Sequence, residues 1–356
     1  MQVGAGGVRM RRSFLFIIGV LISLGLPGTG GAALANKPSP HHQSAATADA
    51  QLATLRALIE TPENRVDLAK AKVTIDRMID PKIVAAATLR QLDGLAAGIG
   101  ARFPAGATAQ AKMELLVTSL SQPGAWNDHR PFSYDLNDPF GKDIHNKLLS
   151  TYLATRKGNC VSMPILLVIL GQKLGLNMTL AAAPEHVLAK FRNDQGQWIN
   201  IEATSFGTKR DASYQQELEI SPNAIANRIY LAPLSRRGAV GVMLGTLMEF
   251  YGQEGQQERR IAVAALALQA NPKDVSAMLQ TGNAYFRTMR ARYMEKYPSP
   301  AEIPLSQRAD YQSLLQNNEL WFSKAEALGW TLPSKAQNAN YLQIIQRTKS
   351  GQQGGR

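Results

Sequence analysis

The feature that most restricts the fold of this chain is an apolar run of helix length that follows a Gly-Asn-Cys turn. Residues 160–174 are predicted to form this helix, and Gly175 supplies a favourable C-terminal stop. Pro164 falls within the first turn or so, where a missing N–H group is tolerated. Residues 163–170 are almost wholly apolar, which is typical of a buried helix. The surrounding chain is therefore expected to pack around it.

Three short strand-like segments follow the predicted helix. They span residues 178–182, 187–192 and 198–201, and residues 193–196 form a good hairpin turn between the last two. One buried helix against a small antiparallel sheet is the result. The sequence therefore predicts an α+β fold in which this helix and sheet form a core flanked by helices on both sides.

The N-terminal flank and the core region have different patterns. Residues 51–120 show an apolar period near 3.6 and start signals in which proline follows Thr or Asp, so an N-terminal helical region without chemistry is predicted. Residues 121–235 are assigned to the core. Within it, residues 121–142 form a loop rich in proline and aromatic side chains, and residues 143–155 form a helix.

The C-terminal flank is again helical, over residues 240–348. Residues 265–274 resemble the junction between tetratricopeptide repeats, and residues 323–330 are a looser echo of it. Two incomplete units are fewer than the three that a free-standing array needs, so a generic helical appendage packed on the core is the alternative. Residues 349–356 are predicted to be a disordered tail.

The residues that could carry chemistry lie at the ends of the central elements. Cys160, the only cysteine of the chain, stands at the turn before the helix. His186 begins the second strand-like run, and Glu202 ends the third. A thiol, an imidazole and a carboxylate in this order are the parts of an activated cysteine nucleophile. A buried, inert cysteine and a solvated carboxylate at a strand end are the structural alternatives.

Each residue type has a physical reason to stand at its position. The positive end of the helix dipole favours a thiolate at Cys160, whose backbone N–H is also a natural oxyanion donor. His186 would hold the thiolate and protonate the leaving amine, and Glu202 would fix its tautomer. Asn159 and Asn146 are further candidates for oxyanion stabilisation or positioning. No metal or cofactor is predicted.

A set of motifs around these residues resembles a known family. The motifs are Arg156-x-Gly158-Asn159-Cys160-Val161-Ser162-Met163-Pro164, Leu174-Gly175-Leu176, Ala183-Pro184-x-His186 and Trp198-x-Asn200-x-Glu202-Ala203-Thr204. Over about residues 75 to 210 the chain resembles the transglutaminase-like superfamily, most of all its bacterial SirB-type branch. The resemblance implies a papain-like core, in which a Cys begins the helix, a His begins one strand and an acidic residue ends the next. The superfamily usually has Asp where this chain has Glu202, and many SirB-type members lack the cysteine.

These features favour an exported thiol hydrolase, a peptidase or amidase that acts through Cys160, His186 and Glu202 and an acyl-enzyme thioester. Its partner would be a protein or peptide substrate. Resolution of the thioester by an amine would instead make the protein a transglutaminase. A non-catalytic scaffold, whose C-terminal helices bind a protein or peptide partner, is the alternative from a different class.

The first residues have the pattern of an export signal. Three arginines precede an apolar stretch over residues 14–26, and Ala33-Leu34-Ala35 is a small-x-small cleavage site. Residues 1–35 are therefore predicted to direct export to the periplasm or the exterior, with an uncleaved membrane anchor as the alternative. Residues 36–50 are predicted to be a flexible linker, in which His41-His42 lack the further ligands of a metal site.

Composition narrows the classes of partner. Hydrophobic residues make up 45% of the chain, which is enough for a sizeable core and argues against wholesale disorder. The formal charge is +12, but Lys and Arg are scattered, whereas a nucleic-acid binder needs a clustered basic surface. No nucleic-acid partner is expected, and membrane contact is expected only through an uncleaved signal. A single cysteine also allows no internal disulfide.

Overall fold

The computed structural model describes residues 45–333 and residue 343. The predicted export signal at residues 1–35 and the predicted tail at residues 349–356 lie outside the described residues. The linker predicted for residues 36–50 is wrong in its last part, because helix α1 (Ala45–Glu60) begins there. Alanine fills four of the six positions of 45–50, and its high helix propensity accounts for the early start.

Helices α1 to α4 fill the predicted N-terminal helical region. Side chains cap two of them: Asp67 accepts from the Lys70 N–H group at the start of α2, and Thr108 accepts from the Ala111 N–H group at the start of α4. The bounds are α2 Leu68–Ile79, α3 Ala85–Gly100 and α4 Ala109–Ser121, with a 3₁₀ turn at Glu63–Arg65.

The helix predicted over residues 143–155 is interrupted. A 3₁₀ turn (Ile144–Lys147) is followed by α5 (Leu149–Thr155), because Leu148 adopts an extended conformation. The Leu149 N–H group donates 2.8 Å to Oδ2 of the buried Asp76. A carboxylate from α2 therefore caps a new helix start at this point.

A short parallel pair of strands joins the long loop to the turn that carries Cys160. The pair consists of β1 (Ser133–Tyr134) and β2 (Lys157–Gly158), with a 3₁₀ turn at Ala125–Asn127 ahead of it. The N–H groups of Ser133 and Asp135 donate to the carbonyls of Arg156 and Gly158 at 2.8 and 2.7 Å. These bonds fix the chain that enters the Cys160 turn.

The central helix α6 (Ser162–Lys173) is buried through its first ten residues. It packs against β3 and β4 of a four-stranded antiparallel sheet and also against α2 to α5. The sheet has the order β3-β4-β5-β6, with bounds Met178–Ala183, His186–Arg192, Trp198–Glu202 and Gly207–Lys209. The predicted α+β class, a buried helix against a small antiparallel sheet flanked by helices, is confirmed.

The outer edge of β3 is covered by the chain that leaves the sheet. After the short helices α7 (Asp211–Glu217) and α8 (Pro222–Ala226), the N–H groups of Leu231 and Leu234 donate to the carbonyls of Ala182 and Leu180 at 2.8 and 3.0 Å. Strand β3 therefore has main-chain partners on both sides, β4 on one and this segment on the other.

The C-terminal helices share the core of the domain. Helix α9 starts at Arg236, earlier than the predicted residue 240, because the Ser235 side chain caps it. Helix α9 packs against α2 and β3, and α1 packs against α9 and α10, so one hydrophobic cluster runs from Leu55 to Ala277. The remaining bounds are α9 Arg236–Gln253, α10 Gln257–Ala270, α11 Val275–Met289 and α12 Leu305–Ala327, with a π-helical turn at Arg290–Met294 and a 3₁₀ turn at Pro300–Glu302.

Among the described residues, none of the helices combines the length and apolar character needed to cross a membrane.

Candidate active site

Cys160 lies in the turn between β2 and α6, and Asn159 shapes that turn. The Asn159 Oδ1 atom accepts from the N–H groups of Val161 and Ser162 at 3.0 and 3.1 Å. This capping bond satisfies donors at the start of the helix. The helix therefore begins at Ser162, two residues later than the sequence predicted, and Cys160 stands just ahead of its N-terminus.

The turn is rigid and buried. Asn159 is 1% exposed, its N–H group donates to Ser162 Oγ at 3.1 Å and its Nδ2 atom donates to the Asn146 carbonyl at 3.1 Å. Gly158 is required by a close approach: a Cβ atom there would lie 2.6 Å from the Tyr152 ring.

Among the described residues, the backbone N–H group of Cys160 has no acceptor. That N–H group is thus available to a bound oxyanion.

His186 is the first residue of β4 and follows a tight turn from β3. Ala183 and His186 pair in register, and Glu185 between them has a φ of 52°. Positive φ is uncommon for a residue with a Cβ atom and often occurs next to functional groups. The imidazole Nε2 atom lies 2.8 Å from Glu202 Oε2, and the Cys160 thiol is near enough to the ring to raise its pKa. Because Nε2 faces Glu202, Nδ1 is the atom left for Cys160.

Glu202 ends β5 and is enclosed by donors. The Oε1 atom accepts from the Thr204 N–H group at 3.1 Å and from Thr204 Oγ1 at 2.6 Å. The Oε2 atom accepts from the Tyr214 hydroxyl at 2.6 Å, in addition to its contact with His186. The side chains of His186 and Glu202 are only 9% and 12% exposed. Glu202 is therefore not a solvated carboxylate at a strand end.

Burial and charge work against each other in this pair. Burial alone would lower the pKa of His186, but the Glu202 carboxylate and the hydrogen bonds to Cys160 and Glu202 outweigh it and raise the pKa to about 10. Burial alone would raise the pKa of Glu202, but the charge of His186 and hydrogen bonds from His186, Thr204 and Tyr214 lower it to about 2. At neutral pH the pair is an imidazolium and a carboxylate.

One further buried group, a tyrosine, lies near the thiol. Tyr134 is buried, and its hydroxyl donates to the Pro139 carbonyl at 2.8 Å. Burial first, and then the charges of Cys160 and Glu202, raise the pKa of Tyr134 well above its usual value, so it remains a phenol.

The C-terminal helices reach this side of the site through an ion pair. A Cβ atom on Gly141 would lie 2.6 Å from both Asn159 Nδ2 and Lys147 Cε, so both side chains pack around Gly141 beside the Cys160 turn. The Lys147 Nζ atom is 2.5 Å from Glu249 Oε2 on α9, and the Lys147 side chain is 8% exposed. Helix α9 is thus tied to the wall of the candidate site.

The structure brings Cys160, His186 and Glu202 together, with Asn159 directly beside the thiol. Asn146 lies behind Asn159, and its own side-chain Nδ2 atom donates to Asp138 Oδ2 at 2.8 Å. The oxyanion and positioning roles of these two asparagines remain predictions. Within residues 45–333, no group of three His, Cys, Asp or Glu side chains could hold a metal ion.

Sequence reasoning missed Thr204 and Tyr214 as partners of Glu202. Thr204 gave only the general signal that a threonine near a strand end often makes a local hydrogen bond in a turn. Tyr214 had none, since it stands on a short helix in a polar segment without periodicity.

Comparison with known proteins gives one match. Residues 86–245 match the model of the transglutaminase-like superfamily, and this range contains α6, the whole sheet and the first part of α9. Cys160, His186 and Glu202 all fall within it. Neither a curated protein nor a solved structure matched the chain.

Proposed function

We propose, from the premise that residues 86–245 form a transglutaminase-like superfamily domain, that this protein is a thiol hydrolase acting on amide bonds. Cys160 is the nucleophile, His186 the acid and base, and Glu202 the residue that orients the imidazole. The observation that supports this best is the position of His186: its Nε2 atom lies 2.8 Å from Glu202 Oε2, and Cys160 is near enough to raise the pKa of the ring. This arrangement of nucleophile, base and orienter is the logic of a catalytic triad.

The chemistry follows from that arrangement. The Cys160 thiolate attacks the amide carbon, and the Cys160 N–H group stabilises the oxyanion that forms. The C–N bond then breaks, His186 donates its proton to the leaving amine, and a thioester remains. Water attacks the thioester while neutral His186 accepts its proton, and the released acid restores the thiolate and imidazolium. An amine in place of water would give transglutaminase products from the same thioester.

Alkylation of Cys160 tests the proposal directly. Because Cys160 is the only cysteine, the mass gain of the intact protein reports this residue alone. Iodoacetamide is expected to react near pH 6 at least tenfold faster than with a model thiol, since the imidazolium stabilises the thiolate. Cys160→Ser should gain no mass and His186→Gln should react slowly. If Cys160 reacts no faster than the model thiol, the protein is a non-catalytic scaffold instead.

A substrate screen then separates hydrolysis from transfer. Peptide amides are incubated with and without a primary amine, and the products are analysed by mass spectrometry. Free acid alone supports a peptidase or amidase, whereas an amine adduct that dominates even at millimolar amine supports a transglutaminase.

We propose further that the chain is exported and that the domain belongs to the SirB-type branch. The arginines, the apolar stretch and Ala33-Leu34-Ala35 support export to the periplasm or the exterior. The expected mature N-terminus is at or near Asn36. Recovery of protein that still carries Met1 to Ala35 from its native compartment would contradict cleavage.

The C-terminal helices are proposed to form a tetratricopeptide-like region that binds a protein partner. Each of α9, α10 and α11 packs against the helix that follows it, and Asn271-Pro272 lies between α10 and α11, which supports a repeat-like stack. Leu320 on α12 is 48% exposed. Leu320→Asp should reduce capture of a partner from envelope extracts and leave Cys160 alkylation unchanged. Unchanged capture would argue against a binding role for this face.

A further inference from the structure

Glu202 is held by more donors than its contact with histidine requires. The oxygen that faces the imidazole, Oε2, also accepts from the Tyr214 hydroxyl at 2.6 Å. The other oxygen is fixed by Thr204 within the local turn. A phenol from a separate helix therefore converges on the one atom that binds His186 Nε2.

Tyr214 is itself held firmly. It is 1% exposed, and its ring lies 6.1 Å from the His186 ring between centroids. Helix α7 is attached to the sheet through Asp211, whose Oδ1 atom accepts from Asn200 Nδ2 at 2.6 Å and from Lys190 Nζ at 3.2 Å. The position of the Tyr214 hydroxyl is thus set by the sheet that also carries His186 and Glu202.

The hydroxyl remains a donor over the whole working range of pH. Burial first, and then the adjacent Glu202 carboxylate, raise the pKa of Tyr214 far above its usual value. Tyr214 is therefore always a phenol when Glu202 is ionised.

A glutamate needs such a constraint. Its side chain has one more rotatable bond than aspartate, and fixing rotamers of a long side chain costs up to about 1.5–2 kcal/mol. Thr204 pins Oε1 only, so the carboxylate could still swing about that atom. We propose that Tyr214 is a positioning residue, whose hydroxyl holds Glu202 Oε2 against His186 Nε2 and so maintains the imidazolium–carboxylate pair. This inference rests on the function proposed above only for its effect on turnover.

Tyr214→Phe tests the inference because it removes one oxygen atom and keeps the ring. The His186 imidazole is followed by NMR titration with labelled histidine, which is practical because the chain has five histidines. The pKa of His186 is expected to fall by about one unit or more, a tenfold loss of proton affinity. Turnover is expected to fall about tenfold through kcat with KM unchanged, since no substrate contact is lost.

The chain offers a matched control. The Tyr293 hydroxyl donates to Asp310 Oδ2 at the same 2.6 Å, but among the C-terminal helices. Tyr293→Phe should therefore leave the His186 titration and turnover unchanged. An unchanged His186 pKa in Tyr214→Phe overturns the inference, as does an equal fall in the control.

A second variant tests the same idea through arm length. In Glu202→Asp the shorter carboxylate cannot span both partners, so Tyr214→Phe should cost less there than in the wild type. Equal costs in both backgrounds overturn the inference. The two proposals also fail separately: an unreactive Cys160 with a shifted His186 titration rejects the hydrolase alone, and a reactive Cys160 with an unshifted titration rejects the role of Tyr214 alone.

Discussion

The charge on Glu202 should control how far into alkaline pH the protein works. Burial alone would lower the pKa of His186, but the Glu202 carboxylate raises it above its ordinary value of 6.5 to about 10. In Glu202→Gln the shape is nearly kept but the charge is lost. The pKa of His186 should then fall toward 6.5. The alkaline limb of the pH–rate profile, which reports loss of the general acid, should then shift to lower pH.

The loss of the protonated imidazole is large at pH 8.5. At pH 8.5 a group with a pKa near 10 is almost fully protonated, whereas one at 6.5 is about 1% protonated. Turnover at pH 8.5 should therefore fall by up to about 100-fold beyond any loss seen at pH 6. Glu202→Asp should be milder, because it restores the charge on a shorter arm.

The assay is turnover and Cys160 alkylation measured from pH 5 to 10.5 in the wild type and both variants. Circular dichroism and thermal unfolding at each pH confirm that the proteins remain folded. A Gln variant whose alkaline limb coincides with that of the wild type would show that Glu202 does not set the protonation of His186, and the triad assignment would fail at that residue.

Three further predictions concern the elements around the site. Asn159→Ala should lower the free energy of unfolding in urea titrations by about 1–2 kcal/mol, because the N–H groups at the start of α6 lose their acceptor, and it should slow Cys160 alkylation. A variant as stable as the wild type would contradict the capping role. Glu249→Gln leaves the nearly buried Lys147 without its charge partner and should lower the free energy of unfolding by about 1–2 kcal/mol. Asp93→Asn removes the 63% exposed partner of a surface ion pair and should lower it by under about 1 kcal/mol. Equal losses would show that burial of Lys147 does not strengthen its ion pair. The stability that His186 gains from the pair should be fully present up to about pH 6.5 and should decline as pH rises through about 10. The stability that Glu202 gains should be lost as pH falls from about 4.5 through 2. The melting temperatures of the wild type and His186→Gln should therefore converge above pH 10, and a constant difference between them would contradict the prediction.

The core of the fold was predictable because its signals are local. The apolar run after Pro164 can only be a buried helix, and Gly175 and the turn at 193–196 separate it from short strands. The order of thiol, imidazole and carboxylate at the ends of those elements, together with the resemblance to the transglutaminase-like superfamily, then predicted that they meet. The start of α6 was off by two residues because Cys160 and Val161 form a turn, bridged by the Asn159 side chain, before the helix begins at Ser162.

The remaining features depend on contacts that no local pattern records. The break before α5 arises from Asp76 on α2, which caps a helix far along the chain. Lys147 finds Glu249 on α9, and Glu202 finds Tyr214 on a helix too short to show a period. Each pairing is decided by how the helices pack around the sheet, so it becomes visible only in the folded chain.

The shared core has a consequence for how the chain acquires its structure. Helix α2 packs against α9, which is synthesised long after it, and α1 lies against α10. Such pairings of distant segments give a high contact order, and loop closure must precede the stabilising contacts. We therefore expect a slow, cooperative folding reaction in which chains that end before α9 stay sensitive to protease. The part of the chain that contains Cys160 would then gain its reactive geometry only when the last helices of the core have joined it.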